Sequence, residues 1–232
     1  MKKILLLIML CSFACAAAMA QDYNKTDSKG RRQGEWRDVY ANGNIRYQGR
    51  FKNDKPLGEF KYYDEDGNLK ATNVYDKTGI NTTYTAYSPN GKVVAKGNYK
   101  NKKKDGEWRY FSPDNAKLIL DENYVDGVLE GHSKVYDNKT GRIAEDVFYL
   151  KGERNGLCTK YYADGKKMAE ISYSNGKKQG PAKLYYPNGV LQEEGNYCAD
   201  NKCGEWKIYS DEGDLLDTEN YDEQEVVGRT KE

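Results

Sequence analysis

Short runs of large apolar side chains recur along this chain, separated by polar turn residues at a nearly constant spacing. Glycines open the runs at Gly34, Gly58, Gly79, Gly106, Gly131, Gly156, Gly180, Gly204 and Gly228. Most steps between them are 24 or 25 residues; only those on either side of Gly79, 21 and 27, differ. Five residues after each glycine stands Val39, Tyr63, Tyr84, Phe111, Tyr136, Tyr161, Tyr185 or Tyr209. A turn follows, as in Asn42-Gly43, Asp66-Gly67, Asn90-Gly91, Asp164-Gly165 and Asn188-Gly189. A second run then ends on Phe51, Tyr75, Tyr99, Tyr124, Tyr149, Tyr173, Tyr197 or Tyr221.

Asn-Gly or Asp-Gly between two such runs signals a β-hairpin, because a type I′ turn needs positive φ at both central positions. Six residues before the terminal ring lies an aliphatic side chain in seven units, with Lys167 departing in the sixth. That even separation places both columns on one strand face. The pattern predicts an all-β chain: an elongated antiparallel sheet of about eight tandem hairpins. One hairpin alone is marginal in water, whereas stacked copies share their rings and are stable as an array. Residues 34–228 carry the repeats, 21–33 form an N-terminal edge segment, and 229–232 are a tail. The edge segment and the acid-rich stretch Asp211–Glu225 are expected to cover or charge the two open sheet edges.

Units such as Tyr161-Tyr162-Ala163-Asp164-Gly165-Lys166 and Tyr185-Tyr186-Pro187-Asn188-Gly189, together with the Gly-Glu-Trp openings at Gly34, Gly106 and Gly204, resemble the MORN repeat in its bacterial variant. The resemblance spans roughly Gly34 to Gly228. It implies a non-enzymatic binding or scaffolding array, and some bacterial relatives carry an antitoxin label.

Residues 1–20 have the three parts of a secretory signal: Lys2 and Lys3, the apolar run Ile4–Leu10, and Ala18-Met19-Ala20 before Gln21. Cleavage there is expected, with export to the periplasm, the outer surface or the medium. Lipid anchoring through Cys15 is disfavoured, because Ser12-Phe13-Ala14 lacks the usual leucine. Removing Lys2 and Lys3 changes 37 basic against 36 acidic residues to 35 against 36, a net charge of −1. That balance argues against nucleic acid as a partner and gives no particular support to lipid binding. No later segment is apolar enough for an integral membrane span.

The composition includes 21 tyrosines, which fits short strands with large buried rings better than disorder. Cys198 and Cys203 flank a four-residue loop, so an oxidising route makes them a candidate disulfide, with Cys158 left over; the alternative keeps all three reduced. A single histidine, His132, excludes a multi-histidine metal site, and no Cys-x-x-Cys pair replaces it. A Cys158–His132 nucleophile pair is set aside in favour of two unrelated strand-start residues. The lysines Lys100, Lys102, Lys103 and Lys104 read as a solvated loop. No enzyme activity, cofactor or metal is expected.

Rings that do not recur in every unit are the candidate partner-binding residues: Trp36, Tyr40, Phe60, Tyr62, Trp108, Tyr110, Tyr162, Tyr186 and Trp206. Strand alternation points them away from the fifth-position column. If that column forms the core, these rings make an exposed stripe; the alternative is that the array curls and covers both faces. The leading reading is an envelope-located protein-interaction or scaffolding array. The alternatives are a cell-wall or glycan-binding module using those aromatics, and an antitoxin or immunity-type partner of a toxin.

Overall fold

The computed structural model describes residues 22–221; the signal segment with Cys15, the tail and Gly228 lie outside them. Eight hairpins follow in chain order: Arg32–Val39 with Ile45–Lys52, Lys55–Tyr63 with Leu69–Tyr75, Asn81–Tyr87 with Val93–Lys100, and Lys103–Phe111 with Leu118–Val125. Then come Gly131–Tyr136 with Ile143–Leu150, Glu153–Tyr161 with Lys167–Ser174, Lys177–Tyr185 with Leu191–Cys198, and Asn201–Tyr209 with Leu215–Asn220. Each strand pairs antiparallel with its chain neighbour, so the result is one open antiparallel sheet and an all-β fold. Two-residue strands, Lys25–Thr26 on Arg32–Gln33 and Val128–Leu129 on Tyr124–Val125, complete it. The N-terminal segment pairs with the first strand only at Arg32–Gln33, and the last strand, Leu215–Asn220, is largely exposed.

Within a unit the framing glycine faces the terminal ring: Gly34 opposite Phe51, Gly58 opposite Tyr75, Gly106 opposite Tyr124 and Gly180 opposite Tyr197. In the third unit that place belongs to Thr82, opposite Tyr99, and not to Gly79. Gly79 instead closes a longer connecting turn, its amide donating to the Asp76 carbonyl at 3.1 Å. Counting from Thr82 restores a spacing of 24 residues on both sides, from Gly58 and to Gly106. The irregular spacing was thus a misplaced frame.

The framing glycines have a structural reason. Gly58, Gly106 and Gly204 have φ of 69, 73 and 64° inside a strand, where a side chain is disfavoured. Each marks a bulge in which three residues face one on the preceding strand; Gly58-Glu59-Phe60, for example, face Gly49. Between the second and third units the register runs on without a shift, and there Thr82 suffices.

Turn chemistry differs from the sequence expectation. In the Asn42-Gly43 turn only Gly43 has positive φ; its amide closes a four-residue turn by donating to the Tyr40 carbonyl at 2.9 Å, and the Tyr40 amide donates to the Asn44 carbonyl at 2.8 Å. The pairs with positive φ at both positions lie between units: Asn53-Asp54, Asn101-Lys102, Asp126-Gly127, Lys151-Gly152, Asn175-Gly176 and Ala199-Asp200. Ala116, where the fourth unit lacks a turn glycine, is held at φ 58°.

Candidate functional site

The core is not where the regular fifth-position column was expected. It is built from the column two residues after each frame: Trp36, Phe60, Tyr84, Trp108, Ser133, Cys158, Ala182 and Trp206. Phe60 and Trp108 are 2 % exposed and Trp206 is 0 % exposed. These rings interlock edge-on with the terminal column: Phe60 meets Phe51 and Tyr75 at 5.0 and 5.3 Å, Trp108 meets Tyr99 at 4.9 Å, and Trp206 meets Tyr197 at 5.2 Å. The indole N–H groups of Trp108 and Trp206 donate to the carbonyls of Asn98 and Asn196, both at 3.0 Å.

One buried layer is fitted by size. Eleven residues before three of the column's large rings stands a glycine: Gly49 for Phe60, Gly97 for Trp108 and Gly195 for Trp206. A methyl group on any of the three glycines would overlap the ring lying on it. Where the column holds a small residue, the partner is large: Val147 faces Cys158 and Ile171 faces Ala182. Total volume is conserved along the stack, as close packing requires.

The expected exposed stripe is therefore corrected. Phe60, Trp108 and Trp206 are core, Trp36, Tyr62 and Tyr110 are half-buried beside it, and a glycan has no free tryptophan face at Trp108 or Trp206. Tyr40, Tyr162 and Tyr186 leave the strands altogether. Their hydroxyls donate to the next unit's carbonyl at Tyr63, Tyr185 and Tyr209, at 2.8, 2.6 and 2.9 Å. The fifth-position column, apart from Tyr84, lies on the opposite face, half-buried except at the exposed Val39: Tyr185 and Tyr209 donate to Glu170 and Glu194, and Tyr63 accepts from Gln48. Strand alternation showed that the two columns oppose each other but not which is covered; the glycines beneath the rings carry that signal.

A second regularity lies at the margin of the ring face. Two residues before the frame, five units place a cation over a ring: Arg32 over Phe51 at 3.9 Å, Lys104 over Tyr124 at 4.5 Å, Arg154 over Tyr173 at 5.5 Å, Lys178 over Tyr197 at 4.7 Å and Lys202 over Trp206 at 4.1 Å. Such contacts contribute about 0.5–1 kcal/mol each at exposed sites. In the second, third and fifth units the same place holds Pro56, Ile80 and Leu129.

Where Pro56 and Ile80 stand, the face opens into a groove of about 610 Å³ walled by Tyr75, Tyr84 and Tyr99 and floored by Asn73 and Thr82. It sits at the junction that lacks the framing bulge. The Asn73 Oδ1 atom is buried and has no hydrogen-bond partner, while the Asn73 amide group donates to Tyr75 at 3.4 Å. This groove is a candidate binding site, and none of its residues is among the rings that the sequence offers as partner-binding. The legible signal is the two apolar residues that interrupt a column of cations.

The remaining chemistry is structural. Cys198 and Cys203 are joined in a disulfide, with Cα atoms 5.8 Å apart across the Ala199-Asp200 turn. Cys158 is a buried free thiol; burial, with the Glu145 carboxylate at 3.6 Å, pushes it up to about 11. His132 does not approach it in a hydrogen bond but pairs with Asp146, Nδ1 to Oδ1, at 2.7 Å. Among the described residues no three of His, Cys, Asp and Glu stand together as a metal site, and no helix is long and apolar enough to cross a membrane.

Fold and groove together define a one-layer array of β-hairpin repeats, a class whose surfaces serve in binding. The family model described as MORN repeat variant matches five segments, residues 32–53, 56–77, 81–101, 154–175 and 178–199, so five of the eight hairpin units are similar to the repeats of that family. Four of the matches begin two residues before the frame, and the third begins beside Thr82, in keeping with the corrected register. Repeats of this family are generally non-catalytic and point to a module for protein or membrane interaction. No curated protein matches the chain.

Proposed function

We propose that the protein is an exported, non-catalytic interaction array at the cell envelope, and that it engages another protein through the ring face between its second and third units. The observation that carries this reading is the groove of Tyr75, Tyr84 and Tyr99, the place where two successive units lack the cation that five of the eight units lay over their rings. Export is supported by the Cys198–Cys203 bond, since such bonds persist in oxidising compartments. An antitoxin or immunity role differs only in the identity of the partner.

A photo-crosslinking residue at Lys102, on the groove rim, tests the reading in intact cells. It is expected to trap one polypeptide that the same residue at Lys139, on a distant turn, does not. Equal adducts from both positions would remove the proposal. Export is checked by intact mass: a chain beginning at Gln21, with one disulfide, is expected from the extracytoplasmic fraction, and a chain retaining Met1 contradicts it.

A further inference from the structure

We infer that the groove between the second and third units is a seat for a basic side chain, arginine or lysine, presented by the partner polypeptide. The inference rests on the interaction reading above and specifies its chemistry.

The first argument is internal to the array. Five units place their own Lys or Arg beside the ring that ends their hairpin, two residues before the frame. Pro56 and Ile80 occupy that place for Tyr75 and Tyr99 and bring no charge. Lys104 is paired opposite Tyr99 in the register, yet its ammonium lies over Trp108, Tyr110 and Tyr124. The fifth unit, with Leu129, differs because Arg154 of the following unit is paired opposite its terminal ring, Tyr149, whose hydroxyl raises the guanidinium pKa. The groove thus opens at two neighbouring rings whose usual cation is missing. The faces of these rings carry negative charge density and favour a cation from outside.

The second argument is the floor. The positions equivalent to Asn73 in the neighbouring units are Gly49 and Gly97, each covered by a ring. Here a carboxamide stands instead, and its buried oxygen accepts from nothing. A buried acceptor without a donor is costly, and a ligand that brings N–H groups would satisfy it once the carboxamide turns toward the groove. Guanidinium and ammonium groups offer donors only, and both stack on tyrosine. A carboxylate would meet aromatic faces and a second acceptor. Among the groove's lining residues only Lys102, exposed on the rim, would attract it.

The test is a titration of the full folded chain with acetyl-Gly-Arg-Gly amide, its lysine, citrulline, alanine and glutamate counterparts, followed by chemical shifts of the groove residues. The arginine and lysine peptides are expected to bind at least about fivefold more tightly than the other three. Tyr99→Leu should weaken them by about fivefold or more, and Ile80→Lys, which restores the chain's own cation, should block them. Lys102→Ala, on the exposed rim, should strengthen them by lifting repulsion, which holds even if Ile80→Lys fails to fold. Equal binding of the citrulline or glutamate peptide, or weaker arginine binding in Lys102→Ala, overturns the seat. Crosslinking from Lys102 without any preference for basic peptides also overturns it, while leaving the interaction reading intact.

Discussion

The size-matched pairs in the buried layer make a demanding prediction: Gly195 and Trp206 should be replaceable only together. Trp206 is fully buried, donates to Asn196 at 3.0 Å and lies beneath Lys202 at 4.1 Å. Trp206→Ala alone leaves a ring-sized void, a loss of about 3–5 kcal/mol. Gly195→Ile alone puts a branched side chain into the indole, because even a methyl group there overlaps the ring; overpacking of this kind costs about 1–3 kcal/mol or more. Gly195 has no left-handed φ, so its backbone accepts isoleucine and the ring is the only obstacle. The double variant recreates the Ile171–Ala182 pair found one unit earlier. It should therefore lie within about 2 kcal/mol of the native chain, the remainder reflecting the lost indole hydrogen bond and cation contact. The two sites then couple by at least about 2 kcal/mol. Urea unfolding followed by circular dichroism, with hydrogen exchange across 191–209, measures it. Losses that simply add to within about 0.5 kcal/mol would refute the packing argument.

Other expectations follow from single features. Ala116→Gly should raise stability by about 1 kcal/mol in the same urea assay, since alanine is held at φ 58° where glycine is unstrained. Reducing Cys198–Cys203 should destabilise the last two units by about 2 kcal/mol, the modest value for so short a loop, read as faster exchange confined to their strands. The Cys158 thiol should resist alkylation below pH 9 in the folded chain; because its pKa is raised by burial, its stabilising contribution is full below the unfolded value near 9 and is lost as pH rises through about 11. Asp76 behaves oppositely. Hydrogen bonds from Thr78 and Asn81 lower it to about 2, so the long turn it caps should be stable above about pH 4 and loosen as pH falls through 2, visible in the amide shifts of Thr78 and Ile80.

Much of the architecture was legible because ring spacing and turn residues repeat eight times over. What escaped the sequence has particular causes. Gly79 resembles a frame because it is a glycine, although Gly58 and Gly106 both count 24 residues to Thr82. Asn42-Gly43 has the dipeptide of a two-residue turn, yet the two-residue turns lie between units, where only Asp126-Gly127, Lys151-Gly152 and Asn175-Gly176 carry a glycine and Asn53-Asp54, Asn101-Lys102 and Ala199-Asp200 do not. Both faces carry rings, so alternation could not decide which one is buried; Gly49, Gly97 and Gly195, read as partners of the rings eleven residues on, decide it. The groove was hidden for a related reason. Pro56 and Ile80 are unremarkable until Arg32, Lys104, Lys178 and Lys202 are recognised as one column.

Hydroxyl-radical footprinting of the three tryptophans in the folded chain bears most directly on the claim that the second-position rings are the core of a single sheet. Trp36, at the first unit and half-buried, should be oxidised readily, while Trp108 and Trp206 stay protected until the array unfolds. Oxidation of all three at similar rates in the native protein would contradict the account, because the rings would then form the exposed stripe rather than the layer that holds the hairpins together.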